Sequence, residues 1–206
     1  EMAKAYSKTK KNEEFDIRME AMRECFKGEK RVYIHADDIQ QLVDAIEFAK
    51  LFELKFPVIV GGYDAHLITR KLVDAEIPIM LQRTHSLPEN ENDDVDLPYK
   101  LPYLLQQGGV KFCLQNAGDM EAMNARNIPF LAGTAIAYGL TMEEAVSSIS
   151  LSSCEIMGID KIYGSIEIGK SATLFVSDGN ALDMRTNNLF LGMIDGMAVR
   201  TVEGLA

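Results

Sequence analysis

At 206 residues, with 47% hydrophobic and 25% charged residues, the chain has ordinary globular composition and can bury a sizeable core. Its formal net charge of −10 argues against nucleic acid and anionic membrane surfaces, which need clustered Lys and Arg. The one basic cluster, Lys8 to Lys11, is diluted at once by Glu13 and Glu14. Cys25, Cys113 and Cys154 are odd in number and form no CxxC pair, which argues against a disulfide framework or a zinc knuckle. No run approaches the roughly 18 apolar residues of a membrane span, and no signal peptide is visible. The sequence opens on Glu1 and reads as a piece of something longer, so location stays open between the cytoplasm and export.

In chain order, Phe15, Met19, Met22 and Phe26 predict a helix within residues 1–27, the methionines packing into the core and Gly28 stopping the helix. Residues 31–36 are a short strand ending at His35. Asp38, with Gln41 three residues on, predicts a helix start carrying Ile39, Leu42, Val43, Ile46 and Ala49 on one face. A second strand, 57–60, ends in Gly61-Gly62, and Asp64 is expected to cap the next helix. A third, 78–81, runs into Gln82-Arg83-Thr84-His85 and a long acidic loop, residues 86–98. Loops of that length inside a compact domain are often functional, and its charge disfavours anionic substrates. Residues 99–107 return to helix. A fourth strand, 111–114, ends in Gln115-Asn116-Ala117-Gly118-Asp119.

Strand alternating with helix four times predicts a parallel sheet, and near-continuous apolar strands predict that both faces are covered. Four such units make half of a (β/α)8 barrel and leave raw edges. A missing half before Glu1, a second copy of the chain, or an open sheet would each answer this. Helix is expected over 120–138 and from the Thr141-Met142-Glu143-Glu144 capping box to about Met157. Strands 165–168, 173–176 and 193–199 make a small β tail. Gly164 to Ser171 matches the letters of a phosphate-binding P-loop. That loop must follow a buried strand and open a helix, and here it sits between two strands, so the match is a false positive.

Chemistry in parallel α/β proteins sits at strand C-termini. His35 occupies such a point and can be read as a metal ligand, a general base or a hydrogen-bonded structural histidine. Arg83 and His85 lie at the third strand end. Asp37, Asp38 and Asp64 read as helix caps, His66 as solvated, and Asp119 as reaching the site or capping a helix. No GxSxG nucleophile elbow and no HExxH occurs.

The order of these pieces resembles the C-terminal half of the metal-dependent amidohydrolase superfamily, in its imidazolonepropionase-like branch. Leu140 to Val146, Met157-Gly158-Ile159-Asp160, and Gly164-Ser-Ile-Glu-Ile-Gly-Lys-Ser-Ala-Thr-Leu-Phe-Val carry the likeness most specifically, and it covers nearly all of residues 29–200. It implies an α/β fold with the last four βα units of a TIM barrel over residues 1–160, and part of a small composite β-sandwich over 161–206. It implies a hydrolase that cleaves amide or other C–N bonds with a metal-activated water, the metal most often zinc. His35 then matches the fifth-strand histidine ligand, and Asn116 stands where the family has an aspartate that takes a proton. Asp119 is the nearby carboxylate that could substitute, and His85 and Arg83 become rim residues contacting a small-molecule substrate. The sixth-strand histidine is replaced by Gly61-Gly62. With at most one usual ligand, these 206 residues alone are expected to hold no metal and to be inactive. The alternative is a non-catalytic relative kept for binding or assembly.

Overall fold

The computed structural model describes residues 1–9, 15–116 and 121–199. Two helices open the chain, α1 (Met2–Ser7) and α2 (Ile17–Lys27). Four strands alternating with three helices follow: β1 (Val32–Ala36), α3 (Ile39–Phe52), β2 (Pro57–Gly61), α4 (Thr69–Asp74), β3 (Ile79–Leu81), α5 (Leu97–Gln107) and β4 (Phe112–Leu114). Then come α6 (Glu121–Asn124), α7 (Ile128–Ala137), α8 (Met142–Ile149) and α9 (Leu151–Met157). The chain ends in β5 (Leu174–Asp178), β6 (Asn188–Ile194) and β7 (Met197–Val199).

The first four strands form one parallel sheet in sequential order, β1-β2-β3-β4, and the last three a separate antiparallel sheet. No closed barrel forms among the described residues. Period-two alternation gives the parallel sheet two unlike faces. The row Ile34, Ile59, Ile79 and Phe112 packs with Leu81 and Leu114 under Leu42, Ile46, Leu72, Leu101, Leu105 and Leu131 of the covering helices. On the opposite face the row His35, Val60, Met80 and Cys113 runs across all four strands. There a small second cluster forms, in which Val58 and Cys113 pack on Ile156 with Met80 beside them. Ile156 belongs to α9, which crosses the N-terminal end of the sheet. Lys111 before β4 pairs with Glu155 at 2.7 Å, and Arg31 before β1 donates to the Ile156 carbonyl at 2.6 Å.

Several local expectations change. Residues 1–27 are two helices, and in α2 the buried side chains are Arg23 and Cys25, while Met22 is exposed. Arg23 earns its burial by donating to the Ser7 and Thr9 carbonyls at the end of α1 while paired with Glu20. Asp38 caps α3 as expected, its side chain accepting from Gln41 N at 3.0 Å. Asp64 does not cap the helix after it: its carboxylate accepts from Ile39 N at 3.1 Å and so supports α3 as well. The Thr141 capping box forms, but the helix breaks at Ser150 into α8 and α9. Residues 165–168 are not a strand. Ile166 and Ile168 alternate correctly yet stand 89% and 108% exposed, because among the described residues no neighbouring strand offers them a ladder. The turn of Asp195 and Gly196, both at positive φ, divides the expected strand 193–199 between β6 and β7.

Candidate functional site

The C-terminal ends of β1 to β4 carry His35, Arg83, His85 and Asn116, and the structure divides them. His35 is the penultimate residue of β1, exposed on the sheet face opposite the main helical layer. Its neighbours in register are Val60, Met80 and Cys113, none of them a histidine or carboxylate. Cys113 is fully buried, and desolvation pushes its thiol up to about 11.

Beyond the strand, Asp37 lies over Gly61. A Cβ on Gly61 would meet Asp37 Oδ1 at 2.4 Å, and both glycines have positive φ, 117° and 83°. The glycine pair is thus what the Asp37 carboxylate and this turn require. Burial pushes the Asp37 pKa up, and its Oδ1 is buried with no hydrogen-bond partner among the described residues. His66 is half-buried, with Nδ1 3.2 Å from the Tyr63 carbonyl.

At the next end, Arg83 and His85 project together because Thr84 between them is buried. They share a groove with Ser86, Leu87, Tyr99 and Thr134. His85 Nε2 lies 2.7 Å from Thr134 Oγ1 on α7, and its ring meets Tyr99 of α5 edge-on at 5.7 Å. Tyr99 stacks in turn on Tyr138. Burial, and then the Arg83 charge, pull the His85 pKa below its usual range. His35 does not line this groove, so the two histidines occupy separate settings.

The acidic loop is fastened rather than free. Tyr63, 2% exposed, donates to Asp93 at 2.7 Å and accepts from Glu89 N at 3.0 Å. Burial and the Asp93 bond hold the Tyr63 phenol up to about 12. Asp94 pairs with Lys100, Glu89 accepts from Gln82, and Asp96 accepts from Tyr138. Gln115 donates to the Met80 carbonyl at 3.1 Å, and Asn116 is half-buried just past β4. Asp119 lies outside the described residues.

Sequence reasoning missed Tyr63, Tyr99 and Thr134. Each acts through a partner 14 to 49 positions away, and no local pattern signals such a pairing. A cavity of about 280 Å³ opens at the opposite end of the strands, between Arg31, Phe56, Val58, Val73 and Ile156. Its Arg31 and Lys111 already have partners in the Ile156 carbonyl and Glu155, so it offers less chemistry than the strand C-termini.

Among the described residues, no three or more His, Cys, Asp or Glu side chains come together to hold a metal. A stable zinc site takes three or more protein ligands. His35 alone does not fit that requirement. No helix of the described residues is long and apolar enough to cross a membrane.

No family model matches the sequence, and no curated protein matches it. Solved structures do. An amidohydrolase from Thermotoga maritima MSB8 is 26% identical and superposes with a TM-score of 0.80, over 95% of this chain and 50% of that one. A second amidohydrolase, at 18% identity, gives 0.63 over 91% and 48%. A prolidase complexed with N-methylphosphonate-L-proline, at 17% identity, gives 0.60 over 86% and 47%. The last two likenesses are of fold alone. The chain spans about half the length of these three solved structures, and its structure is similar to that of amidohydrolases.

Proposed function

We propose that this chain is the C-terminal half of an amidohydrolase-type hydrolase that cleaves C–N bonds of small molecules. The observation that carries this reading is the placement of His35, exposed at the C-terminal end of a parallel strand on the sheet face opposite the main helical layer, which α9 covers only around Val58 and Cys113. In this reading the sheet is the last four strands of a barrel, and His35 is one ligand of a divalent metal, zinc by expectation. The other ligands come from outside these residues. Arg83 and His85 contact substrate, and Asn116 or Asp119 takes the eighth-strand position. No catalytic step through the metal is assigned to this chain, because its own residues do not hold one.

Two exposed faces support the half-chain reading. One is the part of the parallel sheet around Tyr33 and His35 that α9 does not reach. The other is on the antiparallel sheet, where Phe175, Val199, Ile194 and Met197 share a face around Gly192 and are all exposed. Sheets with an apolar face are stable when that face packs on another layer. The missing half, or a second copy of the chain, would supply it, and β5–β7 would then be part of a composite sandwich.

A second reading, a non-catalytic relative, is favoured by the row beside His35, where Val60, Met80 and Cys113 offer no ligand, and by Asn116 in place of an acid. An amide does not act as the general base. Elemental analysis of the full-length gene product beside its His35→Ala variant separates the two. About one metal per chain, lost in the variant together with amide hydrolysis, supports the hydrolase. Absence of metal from both proteins supports the non-catalytic relative.

A further inference from the structure

We propose that the cavity at the N-terminal ends of the parallel strands binds a small amphipathic carboxylate, with its apolar body against the strand starts and α9 and its anionic head at Arg31 and Lys55. The inference goes beyond the hydrolase reading and is independent of it, because His35 and the rim lie at the other end of the strands.

The walls are apolar for a reason in the sequence. Pro57 opens β2, and Pro78 stands just before β3. Proline has no N–H, so neither strand start brings a donor into the cavity at that residue. Val58, Ile77 and Ile156 line it and are buried. Phe56 and Val73 line it too, yet stand 46% and 42% exposed, so apolar wall is left facing water. No histidine, cysteine or hydroxyl belongs to the lining among the described residues, which suits the cavity to binding and not to chemistry. Its volume is about 280 Å³. An apolar cavity of about 150 Å³ already accepts benzene, so a body of one or two rings fits here beside a head group.

The charges choose the head group. Lys111 and Glu155 cancel each other at 2.7 Å. That leaves Arg31 and Lys55 against Glu76, and no salt bridge joins these three among the described residues. The site therefore carries an excess of positive charge in a chain whose formal net charge is −10. Arg31 is also fixed in place. Its Nε donates to the Ile156 carbonyl at 2.6 Å, and its guanidinium lies 5.2 Å from the centre of the Phe56 ring. The same group rests on Gly158, where a Cβ would collide with Cζ and both Nη atoms. These contacts use one of the five N–H donors of the side chain and leave both Nη atoms without a hydrogen-bond partner among the described residues. A planar guanidinium held this way takes a carboxylate with little further ordering.

The test uses the full-length protein with a chelator present. Three probes of one shape are titrated by calorimetry: 1-naphthoate, its neutral amide 1-naphthamide, and the cation 1-naphthylmethylammonium. The acid should bind about tenfold tighter than the amide, the scale of one charge-assisted pair, and the cation more weakly than either. Arg31→Gln should erase the acid preference. Because Arg31 also secures α9, Lys55→Glu, at an exposed residue, repeats the test without that risk and should erase the preference while leaving amide binding in place. Val73→Trp, which fills the cavity, should weaken acid and amide alike by tenfold or more. His35→Ala should leave both affinities where they were. No binding of naphthoate, equal binding of acid and amide, or tighter binding of the cation by the unaltered protein overturns the site. So does an acid preference that survives Lys55→Glu, binding that survives Val73→Trp, or binding that is lost in His35→Ala. A protein that shows the preferences but neither binds metal nor hydrolyses amides keeps this site and loses the hydrolase reading.

Discussion

Gly133→Ala sets two effects of opposite sign against each other, and the structure decides between them. Gly133 lies inside α7, where replacing glycine by alanine ordinarily gains about 1 kcal/mol of helix propensity. Here the added Cβ would sit 2.1 Å from the Leu182 carbonyl oxygen and 3.1 Å from its carbon. Those are backbone atoms, so no rotamer change relieves them, and the segment around residue 182 must lift off the helix. Leu182 is 6% exposed and belongs to the main core, with Leu131, Ala132 and Ala135 of α7. Re-exposing a leucine costs about 1.5–3 kcal/mol. The net expectation is a loss of about 0.5–2 kcal/mol, or roughly 1–8 °C in Tm for a chain of this size. Urea denaturation of the full-length protein measures it. Leu182→Ala, which should itself cost about 2–5 kcal/mol, completes a double-mutant cycle. If the clash acts by displacing Leu182, then Gly133→Ala becomes neutral or stabilising in the Leu182→Ala background. A Gly133→Ala protein more stable than the parent would refute the close approach of the 182 segment to α7.

Tyr63→Phe removes the donor to Asp93 and the acceptor for Glu89 N while keeping the buried ring; about 1–3 kcal/mol should be lost. Proteolysis within residues 86–98 should also quicken, and an unchanged cleavage rate would mean that the loop is fastened elsewhere. Cys113, with its thiol held up to about 11 in a fully buried site, should resist a thiol reagent at pH 8 until the protein unfolds; rapid labelling of the native state contradicts that burial. For His85 the folded pKa lies below the unfolded 6.5, so the unfolded chain binds the proton first as pH falls. Its contribution to stability is whole above pH 6.5 and declines as pH drops through the lowered folded value. The ring-proton NMR titration should have its midpoint below 6.5 and move up in Arg83→Gln, and a midpoint at or above 6.5 contradicts the assigned setting.

Period and punctuation made most of the parallel sheet legible. Apolar runs at 57–60, 78–81 and 111–114, each between helical patterns, became adjacent parallel strands, and the tail pattern pointed to the amidohydrolases that the chain resembles in structure. The failures have physical causes. Ile166 and Ile168 have strand alternation, but alternation specifies a face and not a partner, and among the described residues no strand lies beside them. Asp64 looks like a cap for the helix that follows it, yet the chain turns back at Gly62 and delivers its carboxylate to the start of α3 instead. The helix after Thr141 reads as continuous, because Ser150 is a mild residue and its break is set by how α8 and α9 must diverge, the one packing on α7 and the other turning under the sheet. At the rim, strand ends told which residues would be there but not which would meet. His85 turned toward α5 and α7, and His35 kept the part of the opposite face that α9 does not reach.

That separation bears on how the two readings of the chain differ. Gly61-Gly62 looked in the sequence like a vacated histidine position. In the structure the pair is demanded by positive φ at both residues and by Asp37 pressed against Gly61, so a histidine there would need a different turn and a displaced carboxylate. The glycines therefore go with Asp37 as a unit. A single substitution such as Gly61→His would not rebuild a ligand set, because the Cβ alone would collide with Asp37 Oδ1 and the Ala36 carbonyl. Asn116 is different, since an acid of the same shape could stand there with no change of backbone. If the full-length protein binds metal but turns over amides slowly, Asn116→Asp in that protein is the change with a physical reason to raise kcat, because it supplies a carboxylate able to take a proton. A metal-binding protein whose turnover is unmoved by Asn116→Asp would place the proton acceptor elsewhere on the rim.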